Sequence, residues 1–303
     1  GIFAGVITIL SLVSIHQLNL RGVSKIALYV VLALSLFFLA LVNFFPVWLV
    51  LAILSLGFFM AGIMSGLLSG KGEEGPHMTM RGMNQVSVAP LLVLAISLIF
   101  MFGGESIGTL FSNTFGITQF EARPSWQTTI DIGTKTLAQS PVFGSGPNTF
   151  VEQWLQYKLT DINLTPFWNV DFIAGIGLIP TSFVTTGLLG GLAWLAFLAL
   201  FLFAGFRALL GMQSEDSVSY FVTLSSFLAA GYLWLLSILY VPNVVLLALA
   251  FLLTGVFVGS LRGFPSLVSD THLSFVRSPR IGFAIVFAFT LLLLASFGGI
   301  YLV

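Results

Sequence analysis

Arg123 is the side chain in this sequence best suited to chemistry. It stands in Glu121-Ala122-Arg123-Pro124-Ser125-Trp126, just ahead of a helix start. A planar fork of donors suits phosphate or pyrophosphate; the plainer alternative is a surface ion pair with Glu121 or Glu105. The second candidate is the turn Gly144-Ser145-Gly146. Its glycines either supply positive φ to join two helices or form a backbone nest that approaches an anion near the next helix N-terminus. The third is Pro166-Phe167-Trp168-Asn169-Val170-Asp171-Phe172. Asn169 and Asp171 are either polar residues of an aromatic belt at headgroup depth or the site of a carboxylate base that takes a proton from a sugar hydroxyl.

Other chemistries are excluded or weak. The chain has no cysteine, which rules out disulfides, thiolate nucleophiles and Cys-ligated metals. No histidine lies near the three candidates, so neither a Ser-His-Asp set nor a His-ligated zinc can be built there; metal and cofactor are both expected to be absent. His77 and His272 fall in loops between apolar runs, and His16 lies near the end of the first run, where it can snorkel. Gly70-Lys71-Gly72 lacks the spacing and the Ser/Thr of a phosphate loop. The formal net charge is zero, which argues against a nucleic-acid partner.

The elements that must position these residues are apolar. Of 303 residues, 57% are hydrophobic and 7% charged, against roughly 45–50% and about 25% in soluble domains. Lipid is therefore the expected solvent. The sequence predicts an all-α, polytopic transmembrane helix bundle. A crossing needs about 20 apolar residues, and eight runs qualify, near 1–18, 26–43, 46–69, 87–103, 180–208, 217–240, 242–261 and 281–303. Pro46, Pro180 and Pro242 mark starts, as does Ser217 after Glu215 and Asp216. Gly62–Gly66 and Gly187–Gly191 have the spacing of close helix packing. The chain opens on Gly1 inside an apolar run and stops at Val303 with no polar tail. That predicts a fragment of a longer protein, 1–303 being one membrane domain with four spans in 1–103 and four in 180–303.

Charge between the runs predicts orientation. Arg21, Lys25, Lys71, Arg81, Arg207, Arg262, Arg277 and Arg280 fall in alternate loops, which are expected to be cytoplasmic. The remaining basic residues, Arg123, Lys135 and Lys158, share the long segment 104–179, which is expected on the other side of a cytoplasmic (inner) membrane. This segment far exceeds the usual connection of about 4–6 residues. It holds Trp126, Trp154 and Trp168, an aromatic content that argues against disorder. Two short helices are expected within it, lying along the membrane surface. One runs from Ser125 to Ser140-Pro141, with an apolar stripe at Trp126, Ile130, Gly133 and Leu137 and an Asp131–Lys135 pair on another face. The other starts at Thr149, where Thr149 and Glu152 match a capping box.

Taken in order, Arg123-x-x-Trp126, a helix, Ser140-Pro141-Val142-Phe143-Gly144-Ser145-Gly146-Pro147-Asn148-Thr149-Phe150, Asn169, and Gly187-Leu188-Leu189-Gly190 at a span start resemble one family. It is that of O-antigen ligase-like and polysaccharide polymerase membrane proteins. The likeness covers roughly 120–195; the surrounding spans are similar only in hydropathy and topology. It implies a bundle of the type-C glycosyltransferase class with an extracytoplasmic catalytic loop. It further implies transfer of a glycan from an undecaprenyl diphosphate carrier to a hydroxyl on another glycan, a lipid or a protein, with no metal or nucleotide. By that pattern Arg123 would hold the diphosphate and stabilise its leaving charge. Trp126, Gly144, Ser145, Gly146 and Trp168 would line the substrate, and Asn169 and Asp171 would take part in catalysis. One departure matters. Trp168 stands where the family has a histidine, and Trp cannot act as a base. Either Asp171 takes that role, or another carboxylate does, or the chain is an inactive, glycan-binding relative. A transporter or flippase is the rival of another class, which broken spans with polar midplane residues would favour.

Overall fold

The computed structural model describes residues 1–18, 20, 22–69, 88–116, 122–165, 167–211, 217–263 and 279–302. Among these, every regular element is a helix: α1 (Ile2–Gln17), α2 (Val23–Val42), α3 (Phe45–Ser69), α4 (Val88–Phe115), α5 (Trp126–Gln139), α6 (Phe150–Tyr157), α7 (Leu178–Thr185), α8 (Gly187–Gly211), α9 (Ser217–Leu239), α10 (Val244–Ser260) and α11 (Pro279–Leu302), with short 3₁₀ turns at Thr160–Leu164 and Leu261–Gly263. Val23–Val42, Gly187–Leu209 and Val218–Leu239 are long and apolar enough to cross a membrane, and the bent pair Val88–Gly104 and Ser106–Phe115 would make a fourth. The other expected spans contain, among the fully described residues, the shorter apolar stretches Ile2–Gln17, Phe45–Met60, Val244–Ser260 and Pro279–Leu292. Eight runs were expected to cross; among the described residues, three helices, or four with the bent pair, have the length and composition for it.

Residues 1–263 form one compact unit, and α9 is its centre. It packs on α1, α3, α7, α8 and α10. Leu224, Phe227, Ala229, Ala230, Tyr232, Leu233, Trp234 and Leu236 are all buried. Small residues allow the approach: Gly5 of α1 leaves the space that the Tyr232 hydroxyl fills, and that hydroxyl donates to the Ile2 carbonyl at 3.2 Å. Phe197, Phe201, Phe227, Phe251, Phe257, Trp194 and Trp234 interlock α8, α9 and α10. The second unit, 264–303, contains α11, an apolar helix on which Phe283 stacks with Phe287.

Two helices are broken, and in both the exposed backbone groups find partners from other elements. α4 bends by 86° at Glu105 and runs on to Phe115. The long loop therefore begins beyond Phe115, not at 104 as hydropathy alone placed it. Asn43, in left-handed conformation at the end of α2, donates from Nδ2 to the Gly104 carbonyl at 2.6 Å. The run expected as one span at 180–208 is two helices, α7 and α8, separated at Thr186. Gly187 opens α8 at φ +65°, a conformation that favours glycine.

The 122–177 segment and α7 share a core. Ile132 of α5, Phe150 and Trp154 of α6 and Val184 of α7 are buried together, with Tyr157, Ile162 and Phe172 packed against them. Trp154 donates from Nε1 to the Val170 carbonyl at 3.1 Å and meets Phe172 edge to face. Of the three tryptophans that argued against disorder, Trp154 closes this core, while Trp126 and Trp168 are exposed.

Candidate functional site

α5 starts as its sequence predicts. The Ser125 hydroxyl caps it, accepting from the Thr128 amide at 3.1 Å, and the helix ends at Gln139 before Ser140-Pro141. Its buried face keeps Gly133 of the expected apolar stripe but not Trp126 or Ile130. Thr128, Thr129, Ile132, Gly133 and Thr136 are buried, while Trp126 and Ile130 are 43% and 56% exposed. In contact with lipid the large apolar residues need not point inward, and small hydroxyl residues pack closely against a neighbouring helix. The Thr129 hydroxyl shows the use of this. It accepts from the Ile176 amide at 3.0 Å, and its side chain occupies the space left by Gly175.

Arg123 lies half-buried just before α5. Its guanidinium donates to the Leu239 carbonyl, the last residue of α9. It also lies over the rings of Phe44 (5.3 Å) and Tyr240 (6.0 Å), which meet each other edge to face at 5.2 Å. A helix C-terminus leaves carbonyls unpaired and carries partial negative charge, and a guanidinium answers both. The neighbouring Tyr240 carbonyl accepts from the Leu178 amide. Arg123 thus joins the loop unit to the α2–α3 turn and the end of α9. Glu121 and the side chain of Glu105 lie outside the described residues, and so does the ion pair weighed for Arg123.

The glycine turn has the positive φ of the steric reading and, beyond that reading, pairs with α7 and α8. Gly144 and Gly146 have φ of +69° and +110°. The Gly144 amide donates to Ser140, and the Ser145 and Gly146 amides donate to the Val184 and Thr185 carbonyls at 3.0 and 2.9 Å. In return, the Leu188 and Leu189 amides donate to the Pro141 and Val142 carbonyls at 3.0 and 3.1 Å. The turn therefore pairs the last carbonyls of α7 and the first amides of α8 at the break between them. The amides that an anion nest would need are already donated. Contact is backbone to backbone, since a methyl group at Gly144 or Gly187 would collide with the facing main chain. The Thr149 hydroxyl turns back onto this clip, 2.7 Å from both the Ser145 hydroxyl and the Gly146 carbonyl. No side-chain cap hydrogen bond forms at Thr149, so the capping box expected with Glu152 is not made.

Trp168, Asn169 and Asp171 are exposed. Lys158 donates from Nζ to the Trp168 carbonyl at 3.0 Å, and the flanking Val170 and Phe172 hold this strip to Trp154. Among the described residues no hydrogen bond or ion pair joins Asn169 or Asp171 to Arg123. The structure brings Arg123 to the end of α9 and the 168–171 strip to the side of α6. Asn43 was missed by sequence reasoning. Its signal was a lone asparagine between two apolar runs, a residue type that tolerates the left-handed conformation at a helix end. His16 meets Phe58 edge to face at 5.0 Å. Among the described residues no group of three His, Asp or Glu converges to hold a metal. No family model, curated protein or solved structure matches this chain.

Proposed function

We propose that this membrane protein is a glycosyltransferase of the ligase or polymerase type, built on a type-C bundle, which passes a glycan from an undecaprenyl diphosphate carrier to an acceptor hydroxyl of a glycan, lipid or protein. The observation that carries the reading is the placing of Arg123. It is a guanidinium at the junction of a folded polar unit and the ends of apolar helices, in a sequence order that resembles that family. A lipid diphosphate presents its charge at such a junction, where partial dehydration strengthens a guanidinium–phosphate pair. The fork has five donors, and the Leu239 carbonyl accepts from one of its nitrogens. Asp171, exposed beside Trp168 and Asn169, is the base in this reading, and Asn169 and Trp168 meet the acceptor. Gly144, Ser145 and Gly146 then shape the site by holding α7 to α8, with no direct anion contact from their amides. The loop unit, in this reading, faces away from the cytoplasm.

The test is reconstitution with undecaprenyl diphosphate-linked glycan. Arg123→Ala should weaken donor use about 10–150-fold, the equivalent of ~1.5–3 kcal/mol for a charged hydrogen bond. Wild-type donor binding in Arg123→Ala would remove the diphosphate assignment. Asp171→Asn should lower turnover about 10²–10⁴-fold with donor binding retained, the range for a general base. Unchanged turnover would exclude Asp171.

A transporter is the second reading, favoured by the two broken helices and by Glu105 at the α4 bend. Broken helices with an ionisable residue are the usual material of coupled transport. Glycan transfer in detergent, with no membrane gradient, decides for the enzyme.

A further inference from the structure

The clip between the glycine turn and α8 fixes how deep that turn sits. Arg207 is the one charged residue of α8. A charged side chain near a helix end reaches for the headgroups, so Arg207 marks one edge of the hydrocarbon layer. About 20 residues at ~1.5 Å each span the ~30 Å layer, and counting back from Arg207 that distance ends at Gly187. The first turn of α8 is therefore at the opposite edge, where Leu189 and Leu192 are 60% and 58% exposed, as lipid contact requires.

Val142 is hydrogen-bonded through its carbonyl to the Leu189 amide, and Pro141 to the Leu188 amide. The tip of the turn is thereby held at the depth of that first turn, and its own side chains face outward: Val142 is 50% and Phe143 69% exposed. The sequence from Thr136 to Val151 contains no Asp, Glu, Lys or Arg, so nothing charged must be dragged into an apolar layer. We propose that Val142 and Phe143 insert into the bilayer beside the start of α8, with phospholipid acyl chains as their partner, and anchor the α5–α6 unit to the membrane surface. This inference needs no catalytic activity and stands apart from the glycosyltransferase reading.

The chain has no native cysteine, so one nitroxide label can be placed by Phe143→Cys. Asn148→Cys, exposed a few residues on, serves as the aqueous comparison, and Leu192→Cys as the lipid-facing one. The labelled proteins are reconstituted into phosphatidylethanolamine–phosphatidylglycerol vesicles, and collisions with oxygen and with a water-soluble nickel chelate are compared by electron paramagnetic resonance. Position 143 should behave like 192, at a depth of about 5–10 Å below the surface, while 148 favours nickel. Nickel access at 143 equal to that at 148 overturns the proposal. So does shielding of 143 from both reagents, which would mean a protein partner or a second copy covers the tip. If Phe143→Cys does not fold, Val142→Cys is read in the same way.

Discussion

At the scale of single residues, polar side chains in this protein work on the main chain of their neighbours. Arg123 reaches the Leu239 carbonyl, Asn43 the Gly104 carbonyl, Trp154 the Val170 carbonyl, and the Ile176 amide reaches Thr129. This changes what a mutation of Arg123 should do. The sequence alone suggests an arginine that can be removed without harm to folding; the structure makes it a cap. Arg123→Ala should lower stability in detergent by about 1 kcal/mol, toward the low end of the cost of leaving an acceptor unpaired, since the Leu239 carbonyl is only partly buried. Arg123→Lys should recover part of this, because a cation beside a helix C-terminus is still worth roughly 0.3–1 kcal/mol. Thermal unfolding of both variants checks the order, and equal stability of wild type and Arg123→Ala would deny the capping role. A second residue-scale expectation concerns Thr129. Thr129→Val keeps the shape but removes the acceptor for the buried Ile176 amide, and should cost about 1–3 kcal/mol. Thr129→Ser should cost less. Hydrogen exchange at the Ile176 amide, faster in the valine variant and near wild type in the serine variant, is the measurement.

At the scale of elements, the break at Thr186 is the feature hydropathy could not show. α7 and α8 are both apolar, and a window that averages over about 20 residues passes smoothly across the break between them. The same averaging ended the fourth run near 103, although the helix turns and continues to Phe115. The ends of α5 were legible because caps are local: Ser125 supplies an acceptor and Ser140-Pro141 withdraws a donor. Thr149 was misread because its hydroxyl had an equally local alternative on its N-terminal side, the Ser145–Gly146 turn. Arg123 and the glycine turn stood out as residue types, but their partners, Leu239 and the ends of α7 and α8, are distant in sequence. The clip predicts a graded effect of alanine. Gly22 and Gly187 share nearly the same positive φ, +61° and +65°, and Gly22 has open space where Gly187 faces backbone. Gly22→Ala should cost only the conformational strain, roughly 1–3 kcal/mol. Gly187→Ala should cost clearly more and expose the α7–α8 junction to proteolysis. Equal melting shifts for the two variants would mean that the close approach has no energetic weight.

At the scale of the whole molecule, the helices of residues 1–263 gather around α9. The α2–α3 turn, the α9–α10 connection and the loop unit meet at one end, through Phe44, Tyr240 and Arg123. In the sequence, most basic residues fall in or beside the alternate connections α1–α2, α3–α4, α8–α9 and α10–α11. If those connections face the cytoplasm, Asn148→Cys in intact cells should react with an impermeant thiol reagent and Ser214→Cys should not. The reverse pattern would invert the protein in its membrane. Close packing on α9 makes a second expectation. Gly5→Ala should destabilise strongly, since the buried Tyr232 hydroxyl occupies the space needed. Gly57→Ala, where α3 has open space, should be neutral or stabilising by up to about 1 kcal/mol through helix propensity. Melting temperatures of the pair read this directly.

The clip also sets an order of manufacture. Its acceptors and donors at residues 140–146 leave the ribosome about forty residues ahead of the α7 and α8 ends that they serve. At ~5–20 residues per second, that lead lasts a few seconds, long compared with the microseconds in which a short helix or a tight turn forms. The start of α8 can therefore find its pairing groups already built when it emerges. If the chain is made as two co-expressed pieces divided after Thr165, α8 should insert properly only when the first piece is present.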